Sequence, residues 1–284
     1  MINYTMFACF NAMAAERGIP ATAHWAAEHG FSSVEVQYSR CPEIIFTRKE
    51  AAAARRVLAE HNLSSACYSV SSNLYEDPDA AVRLVCHHLD LAAALGSPYL
   101  HHTLLPWLVL PDNAPTYDAA LETVLPAAER IARYAGRLGI TVLYEDQGLY
   151  FNGVDGFAPF WREIHRICEN TGVCGDMGNS LFVDEGAEHF FDAFRNDIRH
   201  VHVKDYLKKS APVSPGLFWR RTKGGAWLRD TMAGSGVVDF AACGKILSDI
   251  DYRGAVSLEL FHPEPYADGV KQAMQYFERY FNYK

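Results

Sequence analysis

The sequence predicts an α/β fold, a (β/α)8 barrel of eight parallel strands. Three observations carry that expectation. Short runs rich in β-branched and aromatic residues alternate with longer Ala- and Leu-rich runs of helical spacing along the whole chain. No hairpin signal interrupts the alternation, which favours closure into a barrel over an open sheet. At 284 residues the chain also suits a single barrel, a fold that commonly takes about 250, so residues 1–284 are expected to form one domain.

The strand-like runs lie at residues 4–9, 33–37, 65–70, 99–103, 141–145, 173–176, 200–204 and 255–259. Between them ATAHWAAEHG, TRKEAAAARRVLAEHN, DPDAAVRLVCHHLDLAAALG, residues 117–138, PFWREIHRICENTG and DFAACGKILSDI have helical character. Gly30, Gly96 and Gly139 stand just before or near the next strand, where a left-handed residue stops a helix and returns the chain to the sheet. The opening MINYTMFACFNAMAAERG has no basic stretch ahead of its apolar run. It therefore reads as a first buried strand and its following loop, not as a secretion signal. Residues 206–237 break the pattern with a long connection rich in Gly, Lys, Arg and Trp. A structureless loop of that length in a compact domain is usually functional.

Hydrophobic residues make up 49% of the chain and charged residues 21%, a balance that supports a sizeable core and argues against disorder. The net charge of -8 removes the global attraction behind most non-specific nucleic-acid binding, so no nucleic-acid partner is expected. No apolar run reaches the ~18 residues of a membrane span, so no membrane association is expected either. The cysteines, Cys41 among them, are odd in number and form no CxxC pair, which reads as reduced thiols in a cytoplasmic protein. Neither a GxGxxG after the first strand nor a GxxxxGK[ST] occurs, so both nucleotide-binding fingerprints are missing.

In a barrel the chemistry gathers at the carboxyl ends of the strands, where polar residues terminate apolar runs. Four such residues stand out: Glu145 in TVLYED, Asp176 in VCGD, His202 in HVHVKD and Glu259 in VSLEL. Singly, each has an ordinary reading as a salt-bridge partner or turn residue. His202 alternates with His200, and only one of the two is expected to face the barrel interior. Jointly, three carboxylates and an imidazole converging on one point would destabilise the fold unless a cation joined them. A hard oxygen set with one nitrogen and no thiolate suits Mn2+, Mg2+ or Co2+ better than a structural Zn2+. One divalent ion is expected, Mn2+ first, with Mg2+, Co2+ or Zn2+ as alternatives.

On the segments YEDQG, GDMGN, HVHVKD, AGSGVVDF and SLEL, and over nearly the whole chain, the sequence resembles the sugar phosphate isomerase/epimerase family of xylose-isomerase-like TIM barrels. That superfamily also holds ketose 3-epimerases, inosose dehydratases, hydroxypyruvate isomerases and apurinic endonucleases. The resemblance selects His202, the second His of HxHxKD, and implies Glu145, Asp176, His202 and Glu259 as metal ligands. It implies that Glu145 and Glu259 also serve as catalytic base and acid. The activity implied is a metal-dependent isomerase or epimerase of a sugar or related polyhydroxy carbonyl compound, working through an enediolate, with a dehydratase of a keto-polyol as the alternative. A homo-oligomer, dimer or tetramer, is also implied. The family commonly has a substrate-touching His three residues after the ligand Asp. This chain has Asn179, an amide that can hydrogen-bond a hydroxyl but cannot carry a proton at neutral pH.

Further substrate contacts are expected from Glu35 in SVEVQ, from His102 in preference to His101, and from Asn179, Lys204 and Arg221. Lys204 has a second reading as a buried lysine paired with a carboxylate. Asp205 and the Arg220, Arg221 and Lys223 cluster complete the candidates. By default that cluster is a solvated loop, although it could clamp an anion. FWRRTKGGAW interleaves aromatic and basic residues, which would suit a lid over a sugar face. An apurinic endonuclease would need further histidines on the third strand and beyond HVHVKD, yet SACYSV and residues 206–237 contain none. Intact ligands argue against a non-catalytic binding subunit.

Overall fold

The computed structural model describes residues 2–39, 43–211, 218–259 and 266–280. Eight strands close into a barrel: β1 (Asn3–Met6), β2 (Ser33–Tyr38), β3 (Ser64–Val70), β4 (Tyr99–His102), β5 (Thr141–Glu145), β6 (Thr171–Asp176), β7 (Ile198–Val203) and β11 (Ala255–Leu258). Every neighbouring pair is parallel, and β11 closes the ring between β7 and β1. Helices fill the connections, among them α3 (Arg48–Glu60), α4 (Pro78–Leu95), α5 (Tyr117–Arg137), α6 (Gly153–Ile167) and α8 (Phe240–Asp249). The expected (β/α)8 TIM barrel is the observed fold.

Local chemistry sets several helix ends. Thr47 and Glu50 form a reciprocal capping box at the start of α3, each side chain accepting the other's backbone N–H. Asp77 caps α4 ahead of Pro78, and Gly96, at φ 84°, ends it in the left-handed conformation.

The strands have two chemically different faces. Val34, Val36, Tyr68, Val70, Leu100, Val142, Tyr144, Val201, Val203, Val256 and Leu258 point outward into the layer between barrel and helices. Each fully buried aliphatic side chain there contributes ~1.5–3 kcal/mol, so this layer supplies most of the stabilisation. The inward row is left free to be small and polar. Cys67, Leu143 and Cys174 form a small apolar floor, Thr5 and Ser33 hydrogen-bond at 2.7 Å, and the histidines and carboxylates described below occupy the rest.

Two expectations fail. The first strand stops at Met6 instead of running to residue 9, and a helix, α1 (Ala8–Arg17), replaces the expected loop. Phe10, Met13 and Ala14 are buried at helical spacing on its inner face, and that amphipathic stripe favours helix over loop. Residues 206–237 are not structureless either. They contain most of a three-stranded antiparallel sheet, β8 (Asp205–Lys209), β10 (Trp227–Thr231) and β9 (Arg220–Arg221), in the order β8, β10, β9. Leu228 anchors it by packing with Phe182 and Tyr206.

Asp205 ties this sheet to the chain that follows. Its carboxylate accepts the backbone N–H groups of Tyr206, Gly234, Gly236 and Val238 at 2.7–3.1 Å. A Cβ at Gly236 would lie 2.4 Å from the Tyr206 carbonyl oxygen, so only glycine fits there. The six described cysteines are free, and Cys41 lies outside the described residues. No described helix is long and apolar enough to cross a membrane.

Candidate metal centre

Glu145 ends β5, Asp176 ends β6, His202 lies near the end of β7, and Glu259 follows β11 directly. The barrel brings all four together, with one donor atom from each lying within 4.8 Å of the others. Asp176 is held by its own turn, since Oδ1 accepts the N–H groups of Gly178 at 2.8 Å and Asn179 at 2.7 Å. Its Oδ2 then faces Lys204 Nζ at 3.0 Å, and the same ammonium lies 2.8 Å from Glu259 Oε2. His202 Nδ1 lies 2.6 Å from Glu145 Oε1. A cleft that also touches Phe7, Gln37, Ser69, His101 and Gln147 opens onto Glu145, His202 and Glu259.

Burial makes the electrostatics of this cluster severe, because Asp176 is 0% and Glu145 4% exposed. Burial alone pushes the Glu145 carboxyl upward, but Lys204, His101 and His202 outweigh it and hold Glu145 at about 2. For Asp176 the balance reverses. Burial, reinforced by Glu145 and Glu259, outweighs the help of Lys204 and raises it to about 7. Burial opposes charge on His202, yet the Glu35 and Glu145 carboxylates raise it well above the ordinary imidazole value. Cys174 is also within reach of Glu145 and His202. Burial raises its thiol, keeping it protonated and a poor ligand.

The donor chemistry fits a divalent ion. Three carboxylates, one ammonium and one imidazole gather in a buried space, and three oxygen donors with one imidazole nitrogen match Mn2+, Co2+ or Zn2+. Glu145, Asp176, His202 and Glu259 would hold the ion.

The remaining expected site residues fare unevenly. Lys204 sits inside the cluster and donates to Asn179 Oδ1 at 3.3 Å. Asn179 is buried beside it, and its Nδ2 has no hydrogen-bond partner among the described residues. Glu35 does not face the cleft. It is 0% exposed beneath the cluster, where His200 Nε2 meets it at 2.8 Å and His202 Nε2 at 3.0 Å. Both histidines of HVHVKD therefore point inward, correcting the expectation that only one could, since residues two apart on a strand share a face.

His102 is also corrected. It shares the outward face of Leu100 and packs edge-on against Tyr144, whereas His101 lines the cleft. Arg221 is exposed on β9, pairs with Trp227 and does not line the cleft. Asp205 serves the antiparallel sheet, as described above.

Three neighbours escaped the sequence reading. Phe7 stacks on His202 with ring centroids 4.8 Å apart. Ser69 bonds both Glu35 and His101. Asp146 is buried next to the cluster, and burial together with Asp176 and Glu145 raises its carboxyl well above the usual range. The alternation of β3 places Ser69 inward with Cys67, a signal present in SACYSV.

The sequence profile of the xylose isomerase-like TIM barrel family matches residues 23–280. An inosose dehydratase of Clostridium perfringens (strain 13 / Type A) is 22% identical to this chain, covering 87% of it and 83% of that protein. A solved D-psicose 3-epimerase with D-tagatose from Clostridium cellulolyticum H10 superposes with a TM-score of 0.76 at 13% identity, covering 99% of both chains. A solved IOLI protein with a bound zinc atom gives a TM-score of 0.75 at 14% identity, covering 99% of this chain and 100% of that one. On the extent of the profile match, this chain belongs to the xylose isomerase-like TIM barrel family.

Proposed function

We propose that the chain is a divalent-metal-dependent isomerase or epimerase of a sugar or related polyhydroxy carbonyl compound, acting through an enediolate. The observation that carries this reading is the convergence of Glu145, Asp176, His202 and Glu259 within 4.8 Å at the mouth of the barrel. The epimerase among the structural neighbours and the zinc bound by another support it. Mn2+ is the ion proposed first. When bound, it would polarise a carbonyl oxygen and orient a neighbouring hydroxyl.

The chain's own groups supply the proton transfers. Glu145, held at about 2, is a carboxylate at neutral pH, the form a base must have. Glu259 is the partner acid on the other side of the substrate, positioned by Lys204. The Asn179 amide donates to a substrate hydroxyl. Phe7, stacked on His202, shields the ligand ring from water.

A second reading, a dehydratase of a keto-polyol, is favoured by the inosose dehydratase relative. One experiment separates the two. The protein with Mn2+ is incubated in D2O with a panel of ketoses and inososes. Solvent deuterium at the carbon α to the carbonyl, lost in Glu145→Gln, supports isomerase or epimerase chemistry, and an ultraviolet-absorbing dione marks dehydration. Neither product across a broad panel would refute both. A cytoplasmic homodimer or homotetramer is proposed with the activity, and light scattering on the purified chain checks the assembly.

A further inference from the structure

Glu35 is a buried carboxylate in the barrel interior with both oxygens hydrogen-bonded. Oε1 accepts from the Ser69 hydroxyl at 2.5 Å and from His202 Nε2 at 3.0 Å. Oε2 accepts from the Ser257 hydroxyl at 2.5 Å and from His200 Nε2 at 2.8 Å. A carboxylate has about four lone-pair sites, and all four are filled, by residues on β3, β7 and β11.

The proton directions follow from this count. Glu35 can only accept, so His202 must carry a hydrogen on Nε2, and its second hydrogen, on Nδ1 facing Glu145 Oε1 at 2.6 Å, is the one an arriving ion displaces. Ser69 has one hydroxyl hydrogen and spends it on Glu35. Its oxygen must therefore accept from His101 Nδ1, 3.0 Å away. That places the hydrogen of His101 on Nδ1 and leaves Nε2 bare. Accordingly, Nε2 has no hydrogen-bond partner among the described residues and lies 3.7 Å from Glu145 Oε2, too far for a hydrogen bond between them.

We propose that Glu35 is a positioning residue that locks the tautomers of both cleft-lining histidines, presenting His202 Nδ1 to the ion and His101 Nε2 as an acceptor beside Glu145. The His202 half rests on the metal reading above, and the His101 half does not. Outer carboxylates that orient a ligand histidine are commonly worth about 10–100-fold in metal affinity.

The test uses the full chain labelled with 15N-histidine. Without ion, the ring signals of His101 should show a protonated Nδ1 and a bare Nε2, and Ser69→Ala should scramble that preference. With one equivalent of 113Cd2+, ion–nitrogen coupling should appear at His202 Nδ1 while Nε2 keeps its hydrogen. Calorimetric titration with Mn2+ should show Glu35→Gln binding about 10–100-fold more weakly than the wild type.

A hydrogen on His101 Nε2, or coupling of 113Cd2+ to His202 Nε2, would overturn the proposal in the wild-type protein, whether or not Glu35→Gln folds. Unchanged Mn2+ affinity in a folded Glu35→Gln would overturn the His202 half. If the wild type takes up no Mn2+ or Cd2+, the metal reading fails, and the ion-free signature of His101 still judges the other half.

Discussion

Lowering the pH from 8 to 6 should weaken Mn2+ binding by at least about 10-fold, because the ion must displace protons that the cluster holds without it. An ion needs the His202 Nδ1 lone pair and the Asp176 carboxylate. Asp176, at about 7, passes across this window from mostly ionised to mostly protonated, which costs about 10-fold. His202, raised well above the ordinary value by the Glu35 and Glu145 carboxylates against the opposing effect of burial, holds a second proton that the ion must also displace. Displacing that proton weakens binding further in the same direction as the pH falls. Glu145, at about 2, is ionised throughout and adds nothing.

Calorimetric titrations at pH 6, 7 and 8 in buffers of different ionisation enthalpy would measure both the affinity and the protons released. Protons should leave as the ion binds, more per ion at pH 6 than at pH 8. Binding that is flat with pH, or that releases no proton, would refute this account of the cluster.

Three other outcomes follow from the geometry. Lys204→Met leaves Asp176 and Glu259 without their shared ammonium. It should destabilise the ion-free protein by about 3–5 kcal/mol, with much of the loss recovered by Mn2+ in thermal unfolding; equal losses with and without the ion would contradict it. Asp205→Ala removes the acceptor of four backbone N–H groups and should cost on the order of 3 kcal/mol, with hydrogen exchange accelerated at residues 227–231 but not in the barrel strands. Burial keeps the His102 ring neutral in the folded chain, at about 3 against an ordinary 6.5. The unfolded chain therefore binds the proton first, and stability falls as the pH drops below 6.5. His102→Leu should gain about 2 kcal/mol relative to wild type between pH 7 and pH 5, read from urea unfolding at each pH.

The barrel was legible because its strands carry aliphatic side chains at every second position, and the four candidate ligands because each is a polar residue at a strand end that alternates with such a row. The same period could have separated His101 from His102. Leu100 points outward, so His102, two residues on, must do so as well. It equally makes His200 and His202 neighbours on one face. Depth is a different matter. Val34 and Val36 place Glu35 inside the barrel, but whether an inward residue lies at the floor or the rim depends on the stagger between strands. Here the register of β2 against β3 shifts between Val34 and Glu35. The sheet over residues 205–231 was hidden for another reason. One of its strands is the two-residue pair Arg220–Arg221, and most of its side chains are not fully buried, so pairing across sequence leaves little trace in hydrophobic period.

The position of Lys204 bears on how the protein matures. With its ammonium between Asp176 and Glu259, the chain carries an internal counter-ion before any metal arrives. Loading would then be the last step of assembly instead of a condition for it. On the proposed function, a chelator that strips the ion would return the chain to that folded, ion-free state.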